Sequence, residues 1–344
     1  MPASPPALLV HDYVSGGGWP GPALPAALAS EALAIVRAVL ADLREWGELS
    51  VVTTRDRRLS GVGLDADRVV DVDAQVYPTP VRELARACGA ALLVAPEGGG
   101  VAARTAALFA GDGVRLVGSP PDAIAAVADK WACWLRWRAA GLPTPRTELV
   151  PVEEAWTAAA RIGYPVVVKP RSGAACRGVS LAAAPEDLAG ALREVLVLGE
   201  TSVLVQEYAT GTPASVSLVV SSDGARVLSL NEQRVTSGTP FTYRGGIASV
   251  AHARRDEAFA VALRAVGLEP RLRGYVGVDL VLADDGCRLL EINPRLTTSY
   301  VGLRRVSETN VARAVWEACL EDRLPDEAPY PPSASFTLEE GHGS

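Results

Sequence analysis

The stretch Tyr275-Val276-Gly277-Val278-Asp279-Leu280-Val281-Leu282-Ala283-Asp284-Asp285-Gly286-Cys287-Arg288-Leu289-Leu290-Glu291-Ile292-Asn293-Pro294-Arg295 decides the reading of this chain. Two apolar runs flank Asp284-Asp285-Gly286, residues that favour a tight turn. The pattern predicts a hairpin of Tyr275 to Ala283 against Cys287 to Asn293. Centred near Asp285, it sets Asp279 opposite Glu291, and Asn293, two residues on, shares the Glu291 face. Carboxylates beside apolar runs are costly to bury without a partner. Three oxygen ligands converging on one side suit Mg²⁺, which takes a few carboxylates together with substrate phosphates. The plainer reading is a hairpin with its polar face in water. Arg295 emerges just past these residues, where its fork could clamp a phosphoryl or carboxylate group.

A second signal lies upstream, at Lys169-Pro170-Arg171-Ser172-Gly173-Ala174-Ala175-Cys176-Arg177-Gly178. A lysine at the end of a buried strand can direct charge at phosphates, and small residues let backbone N–H groups approach the same anion. The GxxxxGK[ST] order of a P-loop is absent, and a strand rather than a helix follows. The 33 basic residues include two lysines, Lys130 and Lys169, so 31 are arginine. Lysine is a compact point charge and arginine a planar fork, so these two positions are expected to need the smaller head group.

Further out, the first third alternates strands and helices. Ala7 to Val10, Ser50 to Thr53, Val69 to Val72 and Ala90 to Ala95 read as strands, and about 26–46 and 79–88 as helices. Such alternation predicts a parallel sheet covered by helices. Two helices follow over 120–141, where Trp131, Trp134 and Trp137 recur as a packed face. Residues 147–209 read as a smaller α/β unit and about 210–325 as sheet-rich. The expected units are 1–118, 119–209 and 210–325, with 326–344 a loosely ordered, Pro- and Ser-rich tail.

Composition excludes several classes. With 49% hydrophobic and 21% charged residues, the chain is globular rather than disordered. A net charge of -7 argues against non-specific nucleic-acid binding. No apolar run approaches the ~20 residues of a membrane span, and no secretory leader is recognisable at the N-terminus. Five cysteines without a CxxC motif and three scattered histidines give neither a disulfide framework nor a zinc site. A cytoplasmic protein is expected. The oligomeric state stays open, a homodimer included. Residues 130–181 nonetheless hold eight basic groups against three acidic ones, a local excess of five positive charges.

Taken in order, Asp129-Lys130, Gly141-Leu142-Pro143-Thr144-Pro145, Tyr164-Pro165-Val166-Val167-Val168-Lys169-Pro170, Val205-Gln206-Glu207-Tyr208, Gly277-Val278-Asp279 and Glu291-Ile292-Asn293-Pro294-Arg295 resemble the ATP-grasp superfamily of carboxylate–amine ligases. The resemblance implies an α/β fold, α+β in parts. It has an N-terminal Rossmann-like pre-ATP-grasp domain, a small α/β lid and a C-terminal catalytic domain containing an antiparallel sheet. It implies that Lys130 and Lys169 contact ATP phosphates, with Lys169 also catalytic. Ser172, Gly173 and Gly178 would lie on the flexible lid loop. Gln206, Glu207, Tyr208 and Ala209 would form the hinge that holds adenine. Asp279, Glu291 and Asn293 would bind Mg²⁺ or Mn²⁺, and Arg295 would sit by the transferring phosphoryl group. Two departures are visible. Gln206 stands where glutamate is frequent, and the usual ribose-binding acid falls on Pro213.

A narrower likeness spans Tyr13-Val14-Ser15-Gly16-Gly17-Gly18, Ala95-Pro96-Glu97, Pro213 to Ser217, Asn231-Glu232-Gln233 and Asn293 to Tyr300. These segments look like the tyramine–glutamate ligases of methanofuran biosynthesis, whose bacterial relatives serve C1 pathways where the furan cofactor can be built on tyrosine. The implied reaction joins the γ-carboxylate of glutamate to the amine of tyramine or tyrosine through an acyl phosphate, releasing ADP and phosphate. Other ATP-grasp chemistry (D-alanine-type dipeptide ligation, carboxylation) and a non-catalytic nucleotide-binding role are the alternatives. For these small-molecule carboxylate and amine substrates, Arg234, Tyr243 and Arg244 are candidates for the amino-acid carboxylate. Thr297, Thr298 and Ser299 are candidates for the acceptor pocket. Ser15, Gly16 and Gly17 follow the first strand, a usual ligand position in parallel sheets.

Overall fold

In a computed structural model, which describes residues 5–173, 176–327 and 330–337, the chain forms three sheets. Strands β1 (Ala7–Asp12), β2 (Ser50–Asp56), β3 (Arg68–Val72), β4 (Ala90–Val94) and β5 (Arg115–Leu116) make a parallel sheet in the order β3-β2-β1-β4-β5. Helices α1 (Ala26–Trp46), α2 (Thr79–Cys88) and α3 (Val101–Gly111) connect them. α1 is long because alanines and aliphatic residues run through it. It buries Ala32, Ile35, Val36, Val39, Leu40 and Leu43 along one stripe. It ends on Gly47 at φ 72°, a left-handed cap that glycine adopts without strain.

Helices α4 (Pro121–Ala128) and α5 (Lys130–Ala139) follow, as the sequence predicts. Asp129 caps α5, accepting 3.1 Å bonds from the N–H groups of Trp131 and Ala132. Both helices pack on the C-terminal sheet rather than on the small one. Of the three tryptophans only Trp137 is buried; Trp131 and Trp134 stack on each other at 4.8 Å, outside the core.

The small sheet has the antiparallel order β6-β9-β7-β8, from β6 (Thr147–Pro151), β7 (Val166–Lys169), β8 (Ser180–Ala182) and β9 (Ser202–Glu207). Helices α6 (Ala155–Ile162) and α7 (Leu188–Leu196) cover it and share its core. The C-terminal sheet contains β10 (Thr212–Val220), β11 (Ala225–Thr236), β12 (Thr242–Ala248), β13 (Gly274–Ala283), β14 (Gly286–Asn293) and β15 (Ala334–Thr337). It is antiparallel, in the order β14-β13-β10-β11-β12-β15. Helix α8 (Arg255–Gly267) packs on it. Helices α9 (Ser299–Leu303) and α10 (Val311–Leu320) pack between this sheet and α1.

The tail departs from expectation. Residues 334–337 pair with β12 as an edge strand and bury Phe336, an apolar anchor inside a polar segment. Ala174 and Ala175 of the lid loop, and residues 328–329 and 338–344 of the tail, lie outside the described residues. Among the described residues no helix is long and apolar enough to cross a membrane.

Candidate active site

A cleft of about 300 Å³ opens between the small sheet and the C-terminal sheet. β7 is buried throughout, so Lys169 at its end leaves the apolar interior with its head group turned into the cleft. Lys169 Nζ donates to Gln206 Oε1 at 2.9 Å, and Gln206 Nε2 donates to Thr147 Oγ1 at 2.7 Å. That chain fixes which way the Gln206 amide points. The ammonium thus meets a neutral partner, and burial, followed by the nearby Lys130 charge, lowers Lys169 to about 8.

Lys130 opens α5. Its Nζ lies 2.6 Å from Glu291 Oε2 and donates to the Gly173 carbonyl at 3.2 Å. The start of α5 is also tied to the lid loop. The Lys130 N–H donates to the Arg171 carbonyl at 3.0 Å, and Arg171 grips Asp129 at 2.5 and 2.9 Å. Burial opposes the Lys130 charge most strongly, but Glu291, with Glu97 and Asp279, together hold Lys130 above its ordinary value.

The hairpin supplies the opposite wall. Asp279 pairs with Glu291, as the sequence predicts, although by a different route, and Gly277 pairs with Asn293. The turn is the two residues Asp284-Asp285, with Ala283 paired to Gly286, which alone would set Asp279 against Leu290. A bulge between Asp279 and Leu280 shifts the ladder by one residue and restores the carboxylate pair. Asn293 Nδ2 donates to Asp279 Oδ2 at 2.9 Å, and Gln233 Nε2 to Asp279 Oδ1 at 3.0 Å. Burial, then the facing Glu291, raises Asp279 well above the carboxylate range. Glu291 is pushed up by burial too, yet the Lys130 ammonium prevails and lowers it. Two crowded carboxylates beside an amide oxygen are a hard-oxygen donor set, which fits a divalent cation such as Mg²⁺.

The remaining candidates divide. Gly173, Gln206, Glu207, Tyr208, Ala209 and Tyr243 line the same cleft, with Val167, Val281 and Leu290 as apolar walls. Ser172 sits on the loop beside Gly173. Gly178, at φ 71°, faces Pro170 and Leu198 rather than the cleft. Thr298 donates to the Tyr243 hydroxyl at 2.7 Å, Ser299 meets Ser215 at 3.3 Å, and Thr297 meets the Tyr275 hydroxyl at 3.2 Å. Arg234 and Arg244 are exposed, whereas Gln233, Val235 and Tyr243 point inward. Arg234 lies between Gln233 and Val235, so the alternation of β11 turns it outward.

Ser15, Gly16 and Gly17 stay outside the cleft. Ser15 is buried with its hydroxyl on Asp12. A Cβ at Gly16 would meet Thr54 Oγ1 at 2.5 Å, and one at Gly17, at φ +95°, would meet Val72 at 2.7 Å. These glycines allow a close turn against β2 and β3. Arg295 is also turned away. Its guanidinium lies 2.9 and 3.1 Å from the two oxygens of Glu97, on the loop after β4. Glu97, Gln233 and Thr147 were not singled out by sequence as site residues, because each acts through contacts distant along the chain.

A family model described as an ATP-grasp domain matches residues 127–299, and one described as a pre ATP-grasp 3 domain matches residues 49–124. The chain belongs to the ATP-grasp domain family. A tyramine–L-glutamate ligase of Methanocaldococcus jannaschii is 38% identical over 109 residues, covering 31% of this chain and 33% of that protein. The match thus spans about a third of the curated relative's length. Among solved structures, an ATP-grasp superfamily protein from Archaeoglobus fulgidus superposes with a TM-score of 0.71 at 21% identity, over 97% of this chain and 99% of that one. The biotin carboxylase domain of 2-oxoglutarate carboxylase from Hydrogenobacter thermophilus, solved with MgADP, ADP and bicarbonate, superposes at 0.74 with 17% identity, over 92% and 70% of the two chains. The fold is thus the ATP-grasp fold, preceded by a parallel-sheet pre-ATP-grasp domain.

Proposed function

We propose that this protein is an ATP-dependent carboxylate–amine ligase that joins the γ-carboxylate of L-glutamate to the amine of tyramine or tyrosine, in assembly of a methanofuran-type cofactor. One observation carries the ligase reading. Lys169, a buried cation held only by a neutral amide among the described residues, faces the cleft that also holds the carboxylate pair Asp279 and Glu291. That combination complements a polyphosphate and its divalent cation. The glutamate and amine assignments draw on the 38% identical segment shared with the M. jannaschii ligase.

In this reading Gln206, Glu207, Tyr208 and Ala209 seat the adenine against Val167, Val281 and Leu290. Lys130 and Lys169 set positive charge on the phosphate oxygens. Asp279, Glu291 and Asn293 are the residues that hold Mg²⁺ or Mn²⁺, and the ion when bound supplies Lewis-acid stabilisation of phosphoryl charge. Arg295, two residues beyond Asn293 and held by Glu97 outside the cleft, contributes its charge from a distance, through Glu291. A carboxylate oxygen attacks the γ-phosphorus and ADP leaves. The amine nitrogen then attacks the acyl carbon, phosphate leaves, and the amine proton passes to solvent. The loop bearing Ser172 and Gly173 covers the site and keeps water from the acyl phosphate. Tyr243 and Thr298, already bonded to each other, line the way to the acceptor.

The test is ADP release with L-glutamate paired with tyramine or tyrosine, coupled to mass spectrometry of the amide. Lys169→Ala should abolish turnover. ADP release without amide, or retained activity in Lys169→Ala, would overturn the assignment.

A further inference from the structure

A chain of buried polar groups runs behind the large cleft and ends on Lys169. The ladder between β6 and β9 pairs Thr147 with Gln206, and the ladder between β9 and β7 pairs Gln206 with Val167. Directly paired residues share a face of a sheet. Thr147, Gln206 and Val167 therefore form one row, and Lys169 lies on the same face two residues past Val167. Thr147 and Gln206 are each 5% exposed and Lys169 is 6% exposed. Gln206 and Lys169 line the cleft, and Thr147 does not.

The direction of each bond in this chain is fixed by the groups that make it. The Pro145 carbonyl only accepts, and it takes the Trp134 Nε1–H at 2.9 Å and the Thr147 hydroxyl at 3.0 Å. A hydroxyl has one hydrogen to give. With that hydrogen spent on Pro145, Thr147 Oγ1 can only accept from Gln206, and it does so from Nε2 at 2.7 Å. The amide carbonyl then faces the other way, where Lys169 Nζ donates to Oε1 at 2.9 Å. An ammonium has donors only, so both ends of the chain demand the same orientation of Gln206. The acceptor offered to Lys169 is also neutral. A carboxylate at that point would offset the ammonium charge. The amide instead holds Nζ in place and leaves its charge for an anionic ligand in the cleft.

We propose that Thr147 is a positioning residue for nucleotide phosphates: acting through Gln206, it fixes the Lys169 ammonium at the cleft wall. The inference rests on the ligase reading above for the phosphates that Lys169 meets. It places a determinant of nucleotide binding on β6, a strand whose residues do not line the cleft. Without the Thr147 hydroxyl, the Gln206 NH2 group loses its partner, and the amide is free to turn that group onto Lys169.

The test is calorimetric titration of the full-length protein with a non-hydrolysable ATP analogue and Mg²⁺. Thr147→Val keeps the shape and removes the hydroxyl, whereas Thr147→Ser keeps the hydroxyl and loses the methyl group. The Kd should rise by about tenfold or more in Thr147→Val, the scale of a hydrogen bond to a charged group, and stay within about threefold of wild type in Thr147→Ser. A packing role reverses that order, because serine leaves a void and valine does not. Thr147→Ser binding as weakly as Thr147→Val therefore overturns the proposal. Gln206→Met already cuts the chain, so adding Thr147→Val to it should change Kd by less than about twofold; a further tenfold loss would overturn action through Gln206. If Thr147→Val does not fold, Thr147→Ala takes its place, and Thr147→Ser binding no tighter than Thr147→Ala overturns the proposal. Analogue binding in the expected order without amide formation from L-glutamate and tyramine upholds the role of Thr147 and overturns the ligase reading. Wild type that binds no nucleotide overturns both.

Discussion

Replacing Lys130 by Met removes the ammonium that lies 2.6 Å from Glu291. The Lys130 side chain is 9% exposed and that of Glu291 24%, so the pair is largely, not wholly, removed from water. Breaking one partner of a buried pair typically costs about 3–5 kcal/mol, because the other charge is stranded. Access of Glu291 to the cleft places the expected loss near the lower bound, about 3 kcal/mol. Stranded Glu291 then faces Asp279 with only the weaker influence of Lys169 to offset it. Lys130→Met/Glu291→Gln removes both charges, so it should recover most of the loss. The expected coupling is about 2–3 kcal/mol, against well under 0.5 kcal/mol for independent sites. The assay is urea unfolding of wild type, both single variants and the double variant, by circular dichroism and tryptophan fluorescence. Coincident transitions justify comparing the free energies. Additivity within 0.5 kcal/mol would refute the reasoning, since it would mean that Glu291 does not depend on Lys130.

Three further outcomes follow from other parts of the fold. His11 is buried against Thr54 and its pKa is lowered to about 3, so the folded state resists protonation below the ordinary value of 6.5. Stability should be complete above pH 6.5 and fall by about 1.4 kcal/mol per pH unit below it, or about 2.7 kcal/mol by pH 4.5; His11→Gln should flatten that slope in denaturation measured against pH, and an unchanged slope counts against it. Gly17→Ala forces a Cβ onto Val72 at φ +95° and should cost about 1–3 kcal/mol, seen as a lower melting temperature with the nucleotide site intact. Chelating divalent metal should abolish turnover, with recovery on adding Mg²⁺ or Mn²⁺; activity surviving chelation would remove Asp279, Glu291 and Asn293 from the proposed metal role.

The hairpin was legible because alternation, turn residues and charge placement agree over a short span. Its register still depended on a bulge that no turn rule predicts, and the expected centre near Asp285 gave the right partners through a different turn. The lysines were legible because a composition dominated by arginine makes two exceptions conspicuous. Arg295 was legible as a residue near the hairpin but not by its environment, since Glu97 lies 198 positions away. Arg234 and Arg244 were misplaced for a simpler reason. The alternation of β11 and β12 admits Gln233 and Tyr243 to the cleft and sends the arginines outward. The tail was misread because one buried phenylalanine outweighs a polar composition.

Asp42 lies near the C-terminal end of α1, yet its partners come from the far end of the chain. Its carboxylate takes the Tyr300 hydroxyl and Arg304 Nε, and its carbonyl accepts from Asn310 Nδ2. One apolar core runs through α1, α9, α10 and the first sheet, while the small sheet closes over a core of its own. The first and last thirds of the chain are therefore stitched into a single frame, and the segment between them folds around its own core while bonding to the frame at α5 and at the β11–β12 connection. Cutting the gene at the sheet boundaries would sever the frame, whereas residues 147–207 would keep their core whole.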